Sequence, residues 1–358
     1  MLQRVNTGAG ATGGPRGTLG LEYSGDAAIV DMATTSGEPT AAPAALIEVR
    51  LTAIHYAARD TNLFEFRRLD GEPLPAYEPG AHVDVHLPSG HSRSYSLTVA
   101  RPEPDTYTFG IKRDPASRGG SRFMHDELRV GRTIKISAPR NNFPLKEDAN
   151  HSVLIAGGIG ITPIRCMVQR LTERERSFAL HYACRSRADA AFLHELESVP
   201  GASFHFDDEN DGRFLDVVGI VAAAPKDAHL YCCGPTPMLN AFEAATKDWP
   251  RPQIHLEYFT PKEEVSKAKK GGFTVELARS GQEFFIPEGR SILEVLLDEG
   301  VDVDYSCELG ICGACEQRII SGVAEHHDSI LSEEEQAENK RVMICCAGSK
   351  SERLVLDM

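Results

Sequence analysis

Four cysteines near the C-terminal end carry the clearest chemistry in this sequence. Cys307, Cys312 and Cys315 stand in a Cys-x4-Cys-x2-Cys spacing, and Cys345 and Cys346 follow after a long gap. Three thiolates on one short loop with a fourth from a distant segment is an arrangement that holds a [2Fe-2S] cluster, because each of two irons takes two thiolates. Gly310 and Gly313 suit such a loop, where the backbone curls closely and turns its amides inward. Those amides offset the negative charge that reduction adds. Four cysteines also suit tetrahedral zinc, but zinc sites usually pair two Cys-x2-Cys knuckles and only one is present. A Rieske centre needs histidines in the loop, and the loop has none; His326 and His327 lie outside it and are expected at the surface.

A second feature is the run Gly157-Gly158-Ile159-Gly160-Ile161-Thr162-Pro163, which follows the apolar stretch Val153 to Ala156. Ile164, Met167, Val168 and Leu171 come next at helical spacing, giving strand, glycine loop and amphipathic helix. Thr162 is expected to cap that helix and Pro163 to occupy its first turn, while the glycines let a pyrophosphate approach amides at the helix's positive end. Pro163 stands where the usual Gly-x-Gly-x-x-Gly form has glycine. Cys233-Gly234-Pro235 and Met238 follow a later strand.

A third set lies upstream, in Arg93-Ser94-Tyr95-Ser96-Leu97. Arginine can pair with a phosphate, tyrosine supplies a flat face and a hydroxyl, and serine donates a hydrogen bond. Ile111-Lys112-Arg113 and Ser117-Arg118-Gly119-Gly120-Ser121, the latter opening a helix, form another phosphate-compatible stretch. Glu257-Tyr258-Phe259 closes the region of alternating strands and helices.

The elements that must position these groups divide the 358 residues into several domains, since the chain is too long for one ordinary core. Residues 1–45, rich in Gly, Ala, Thr and Pro, read as a disordered tail. Over residues 46–145, strands at Leu46 to Ala53, Leu63 to Arg67, His82 to Leu87, Ser94 to Val99, Tyr107 to Lys112 and Thr133 to Ser137, with a helix at Ser121 to Leu128, suggest an antiparallel β-barrel. Residues 150–260 alternate strand and helix and imply an α/β domain with a parallel sheet. Residues 261–272 are charged and read as a linker. Residues 273–358 form a further unit, with strands at Phe273 to Ala278 and Glu283 to Ile286 and a helix at Ser291 to Leu297 before the cysteine loop.

In this order the motifs resemble the phthalate dioxygenase reductase and vanillate demethylase reductase family, within the ferredoxin-NADP reductase superfamily. The resemblance implies a flavin barrel, an NAD(P) domain and a C-terminal plant-type ferredoxin domain of α+β, β-grasp form. It assigns Arg93, Tyr95, Ser96, Ile111, Lys112, Gly119, Gly120, Ser121 and Phe259 to flavin. It assigns Gly157, Gly158, Gly160, Thr162, Pro163, Arg185, Cys233, Gly234, Pro235 and Met238 to NAD. Ser96, Cys233 and Phe259 are placed near flavin and nicotinamide, with no acid–base triad. Cys345, followed by Cys346 and Ala347, fits the frame of the fourth cluster ligand of plant-type ferredoxins. Relatives with ferredoxin last use FMN, while those with ferredoxin first generally use FAD, so FMN is expected. NADH is the expected donor, although Arg185 and Arg187 after Cys184 stand where a 2′-phosphate could be met.

The expected partner is a Rieske-type terminal oxygenase. A nucleotide-responsive redox sensor or scaffold is the alternative, but no basic patch or DNA-reading helix supports it. The formal charge is −14, and Phe273 to Met358 alone hold 7 basic and 18 acidic residues. That acidity repels nucleic acid and anionic lipid and can steer a basic partner. No apolar run spans a membrane and no signal peptide is seen, so a cytoplasmic monomer is expected.

Overall fold

Short strands with alternating burial build the first sheet: β1 (Ile47–Ala58), β2 (Thr61–Arg68), β3 (His82–His86), β4 (Ser92–Ser96), β5 (Tyr107–Lys112) and β6 (Thr133–Ile136). Their order is β4-β3-β6-β1-β2-β5, with antiparallel neighbours throughout. Leu97, just beyond β4, bridges Phe109 of β5, so the two sheet edges meet and a barrel closes. Val49, Leu51, Phe64, Phe66 and Phe109 fill its interior. The computed structural model describes residues 46–99, 101, 104–117, 119–260 and 271–358, all within one compact unit. The expected tail and residues 261–270 of the expected linker lie outside the described residues.

Two elements of the barrel differ from expectation. β1 continues past Ala53 to Ala58 because it keeps pairing with β2 across a turn in which Asp60 takes a left-handed conformation, φ 55°. The expected helix at Ser121 to Leu128 is one α turn, α1 (Gly120–Arg122), running into a π turn over Phe123–Glu127. Met124 and Leu128 enter the core, while His125 Nε2 donates to the Ile111 carbonyl oxygen at 2.9 Å.

The next layer is a parallel sheet, β11-β10-β7-β8-β9, made of β7 (Ser152–Gly157), β8 (Phe178–Cys184), β9 (Ala202–Phe206), β10 (His229–Cys233) and β11 (Ile254–Glu257). The two-residue period of β7 feeds two cores. Leu154 and Ala156 pack with Ile161, Ile164, Met167 and Leu171 of α2 (Ile161–Glu173), and with Leu196 of α3 (Leu193–Leu196). Val153 and Ile155 face α4 (Val217–Ala223) and α5 (Thr236–Thr246), through Val221, Leu239 and Phe242. Apolar residues on both faces are what a strand covered on both sides requires.

The C-terminal sheet combines β12 (Phe273–Leu277), β13 (Gln282–Ile286), β14 (Glu316–Ser321), β16 (Arg341–Met343) and β18 (Arg353–Leu356), with β15 (Ala324–Glu325) pairing β17 (Gly348–Ser349) separately. β12 runs antiparallel to β13 and parallel to β18. Against it packs α6 (Ile292–Asp298), begun by a reciprocal cap in which Ser291 Oγ accepts from Glu294 N and the Glu294 carboxylate accepts from Ser291 N. α7 (Glu333–Glu338) opens the same way on Ser332 and Glu335. The cysteine loop spans the gap between α6 and β14. Among the described residues no helix is long and apolar enough to cross a membrane.

Candidate functional site

The residues expected at flavin converge on one cavity of about 530 Å³ at the junction of barrel and parallel sheet. Arg93, Tyr95 and Ser96 enter from β4, Ile111 and Lys112 from β5, Gly120 and Ser121 from α1, and Phe259 from beyond β11. A Cβ on Gly120 would meet Arg93 Cγ at 2.6 Å and Tyr95 Oη at 3.2 Å, so only glycine lets those two side chains pass. Gly119, at φ 102°, turns the chain into α1 without lining the cavity. Burial pushes the Tyr95 hydroxyl well above its ordinary range, keeping it a neutral donor.

The glycine loop divides its work among its members. A Cβ on Gly160 would fall 2.2 Å from the Cys233 carbonyl oxygen, and one on Gly157 would fall 2.5 Å from Pro235 Cδ and 2.9 Å from Met238 Sδ. These glycines allow the C-terminal ends of β7 and β10 to touch, and Gly234 does the same against Gly157 and Met238. Gly158, at φ 53°, faces open space and is the member that leaves room for a phosphate. Thr162 does not cap α2. Gly158–Gly160 form a 3-10 turn that carries the chain into the helix, and Thr162 Oγ1, already in its first turn, donates to the Ile159 carbonyl oxygen at 2.9 Å. Pro163 sits in that first turn. Thr162 also lines the flavin-side cavity.

Between these two regions lies the first residue of Glu257-Tyr258-Phe259, to which the sequence assigned no role of its own. Glu257, at the end of β11, places Oε2 3.9 Å from Cys233 Sγ and is bonded to Ser96. Burial pushes its carboxyl up to about 8 against the lowering effect of the Cys233 and Ser96 hydrogen bonds. Burial likewise drives the Cys233 thiol far upward, with Glu257 adding to it, so the enclosure favours the neutral form of both groups.

Cys307, Cys312, Cys315 and Cys345 are all buried and their sulfurs meet: Cys307 interacts with Cys312 and Cys345, and Cys345 with Cys315. The hydrogen bond to Cys307, followed by burial, raises the Cys312 thiol well above its usual value. Leu309 N points at Cys307 Sγ from 3.3 Å. Gly310 and Gly313 adopt φ 70° and 74°, and a Cβ on Gly310 would lie 2.6 Å from Cys346 Sγ. Cys346 Sγ packs there and donates to the Met343 carbonyl oxygen at 3.6 Å. Four converging thiols with amides turned toward them fit a [2Fe-2S] cluster as a donor set.

The loop is tied to the barrel. Asn142 Nδ2 donates to the Cys312 carbonyl oxygen at 2.8 Å, and Ser94 Oγ lies 3.5 Å from Ser306 Oγ. Ser94 Oγ also donates to Asp84 Oδ1 at 2.7 Å, and Asp84 pairs with Arg140. Burial alone would raise the Asp84 carboxyl, but Arg140 beside it and bonds from Ser306 and Ser94 hold it below its ordinary value. A second, smaller cavity of about 110 Å³ is lined by Ser96, Glu257 and Phe259 together with Cys307 and Cys312. Leu309 lines both cavities.

The expectation that His326 and His327 lie at the surface is corrected. The His326 side chain is only 5% exposed, because Ser329 N donates to the Gly310 carbonyl oxygen at 2.9 Å and folds the segment over the cysteine loop; His327 is largely buried with it. Arg187 is held by Glu197 and Glu209 at 3.2 and 2.7 Å and stacks over Phe206, while Arg185 is exposed.

The model of a 2Fe-2S iron-sulfur cluster binding domain matches residues 275–349, and that of an oxidoreductase NAD-binding domain matches residues 154–244. The chain is 47% identical over 328 residues to tetrachlorobenzoquinone reductase of Sphingobium chlorophenolicum, covering 88% of this chain and 99% of that one. It is 43% identical over 318 residues to the vanillate O-demethylase oxidoreductase of a Pseudomonas species, covering 87% and 100%. The solved structure of phthalate dioxygenase reductase, described as modular for electron transfer from pyridine nucleotides to [2Fe-2S], superimposes with a TM-score of 0.66 at 37% identity, covering 87% and 98%.

Proposed function

The chain belongs to the phthalate dioxygenase reductase and vanillate O-demethylase reductase family, and from that premise we propose that it carries electrons from NADH to a Rieske-type oxygenase through FMN and a [2Fe-2S] cluster. The observation that carries this reading is the shared wall: Leu309, Ser96 and Phe259 line both the cavity suited to flavin and the small cavity that opens on Cys307 and Cys312. That continuity favours electron transfer over the sensor or scaffold alternative. FMN rather than FAD follows from the position of the iron-sulfur domain at the C-terminal end.

A bound flavin would supply the chemistry that links a two-electron hydride donor to a one-electron iron-sulfur acceptor. The protein's residues set the geometry and the local charge. Gly158 and the positive end of α2 receive the dinucleotide's pyrophosphate. Arg93 and the turn at Gly120 and Ser121 hold the flavin phosphate. Tyr95 would offer a flat neutral face to a bound flavin, and Phe259 would offer an aromatic wall of the same cavity. Ser96 and Glu257 form a hydrogen-bonded pair beside Cys233, and burial favours the protonated Glu257, so the pair would add little negative charge beside a bound flavin. Cys307, Cys312, Cys315 and Cys345 hold the cluster. The same proposal covers a monomer working in the cytoplasm, where thiols stay reduced.

Reconstitution with a purified Rieske-type oxygenase tests the proposal. NADH consumption should be coupled to oxygenase product and should depend on this protein. Reduction of flavin by NADH without any product, using an oxygenase active with another reductase of the family, would count against a general oxygenase partner.

A further inference from the structure

His82 stands on the wall of the small cavity between the flavin-side residues and the cysteines. It is 5% exposed, and its Nε2 is buried with no hydrogen-bond partner among the described residues. A buried ring nitrogen left unpaired is costly, so a polar group beyond the described residues would satisfy it.

The register shows where that group lies. His82 pairs with Ser96 and Asp84 with Ser94 across β3 and β4, so all four side chains share one face of the sheet. On this face Asp84 and Ser94 hold Ser306, the residue before Cys307. Cys307 and Cys312 line the same cavity as His82. An imidazole Nε2 that carries the ring proton is a hydrogen-bond donor and can be aimed at an acceptor in that cavity.

We propose that His82 donates a hydrogen bond from Nε2 across the domain junction to the thiolate sulfur of Cys307 or Cys312 in the cluster-loaded protein, raising the cluster's affinity for an electron relative to flavin. This rests on the proposed cofactor set. His82 is a positioning and tuning residue, and it exchanges no electrons itself. A donor aimed at cluster sulfur stabilises the reduced, more negative state.

The test compares His82→Leu, which fills the space without a donor, with His82→Gln, which restores an amide donor. Each holoprotein is titrated with a chemical reductant, and cluster and flavin are followed separately by EPR and absorbance. His82→Leu should lower the cluster's reduction equilibrium about tenfold, roughly 59 mV for one electron. Flavin should stay near wild type and His82→Gln should recover most of the loss. An unshifted cluster in His82→Leu, an equal shift in both variants, or a shift confined to flavin overturns the proposal. If His82→Leu does not retain a cluster, wild-type protein labelled with 15N-histidine decides. Reduced-cluster spectra should show a 15N hyperfine coupling that His82→Gln lacks, and its absence from wild type overturns the proposal. In either case NADH-driven reduction of the wild-type cluster is measured on its own, so failure of the His82 bond is distinguishable from failure of the cofactor assignment.

Discussion

Asn142 Nδ2 donates to the carbonyl oxygen of Cys312 at 2.8 Å, joining the segment that leaves the barrel to the cysteine loop. A Cβ on Gly313 would lie 3.2 Å from the same nitrogen, so the loop backbone lies against that side chain. Asn142→Leu leaves a buried carbonyl without its donor, at a cost of about 1–3 kcal/mol. The docking equilibrium constant should fall about tenfold. Stopped-flow absorbance should show unchanged flavin reduction by NADH and slower cluster reduction; equal slowing of both steps goes against a docking role.

Glu257 predicts a pH effect with a definite sign. Its carboxyl is raised from 4.5 to about 8, so the folded protein holds the proton more tightly than the unfolded chain. That contribution to stability is fully present below pH 4.5 and is lost as pH rises through about 8. Flavin reduction by NADH should decline over the upper part of the same window as a negative charge appears beside the ring. Glu257→Gln, permanently neutral, should flatten the rate profile between pH 7 and about 9. A wild-type decline that persists in the variant assigns the titration elsewhere.

Coenzyme choice should follow the pairing of Arg187 with Glu197 and Glu209. These exposed pairs are weak, but they occupy the guanidinium a 2′-phosphate would need. NADH should be preferred. The double substitution Glu197→Gln and Glu209→Gln should lower KM for NADPH severalfold with little change for NADH, measured by steady-state flavin reduction.

Cys312→Ser should abolish electron delivery to a protein acceptor while NADH oxidation by ferricyanide persists, because the flavin can serve that acceptor directly. Loss of both activities with flavin still bound would argue against modular transfer.

The sequence revealed local chemistry more readily than long-range contacts. The cysteine spacing and the strand-glycine-helix pattern at Gly157 to Pro163 are short-range signals, and the expected flavin-side residues other than Gly119 line one cavity. The contact between Asn142 and Cys312 joins positions with no common pattern, and Asp84 with Arg140 reads as ordinary surface charge until the fold buries it. Glu257 was visible as part of Glu257-Tyr258-Phe259, but its raised carboxyl depends on enclosure that no motif conveys. Thr162 follows the residue types of a cap, yet the preceding 3-10 turn carries it inside the helix. His326 is buried because a loop folds back over Gly310, and loop residues carry no periodicity from which burial could be read.

The most direct test of the electron path is anaerobic, freeze-quenched reduction of the cofactor-loaded protein by a limited amount of NADH, followed by absorbance and EPR. Flavin absorbance should bleach first, and the signal of a reduced [2Fe-2S] cluster should then grow at the expense of reduced flavin. A cluster that remains oxidised after complete flavin reduction, although a chemical reductant of suitable potential reduces it, contradicts the path from the glycine loop to Cys307, Cys312, Cys315 and Cys345.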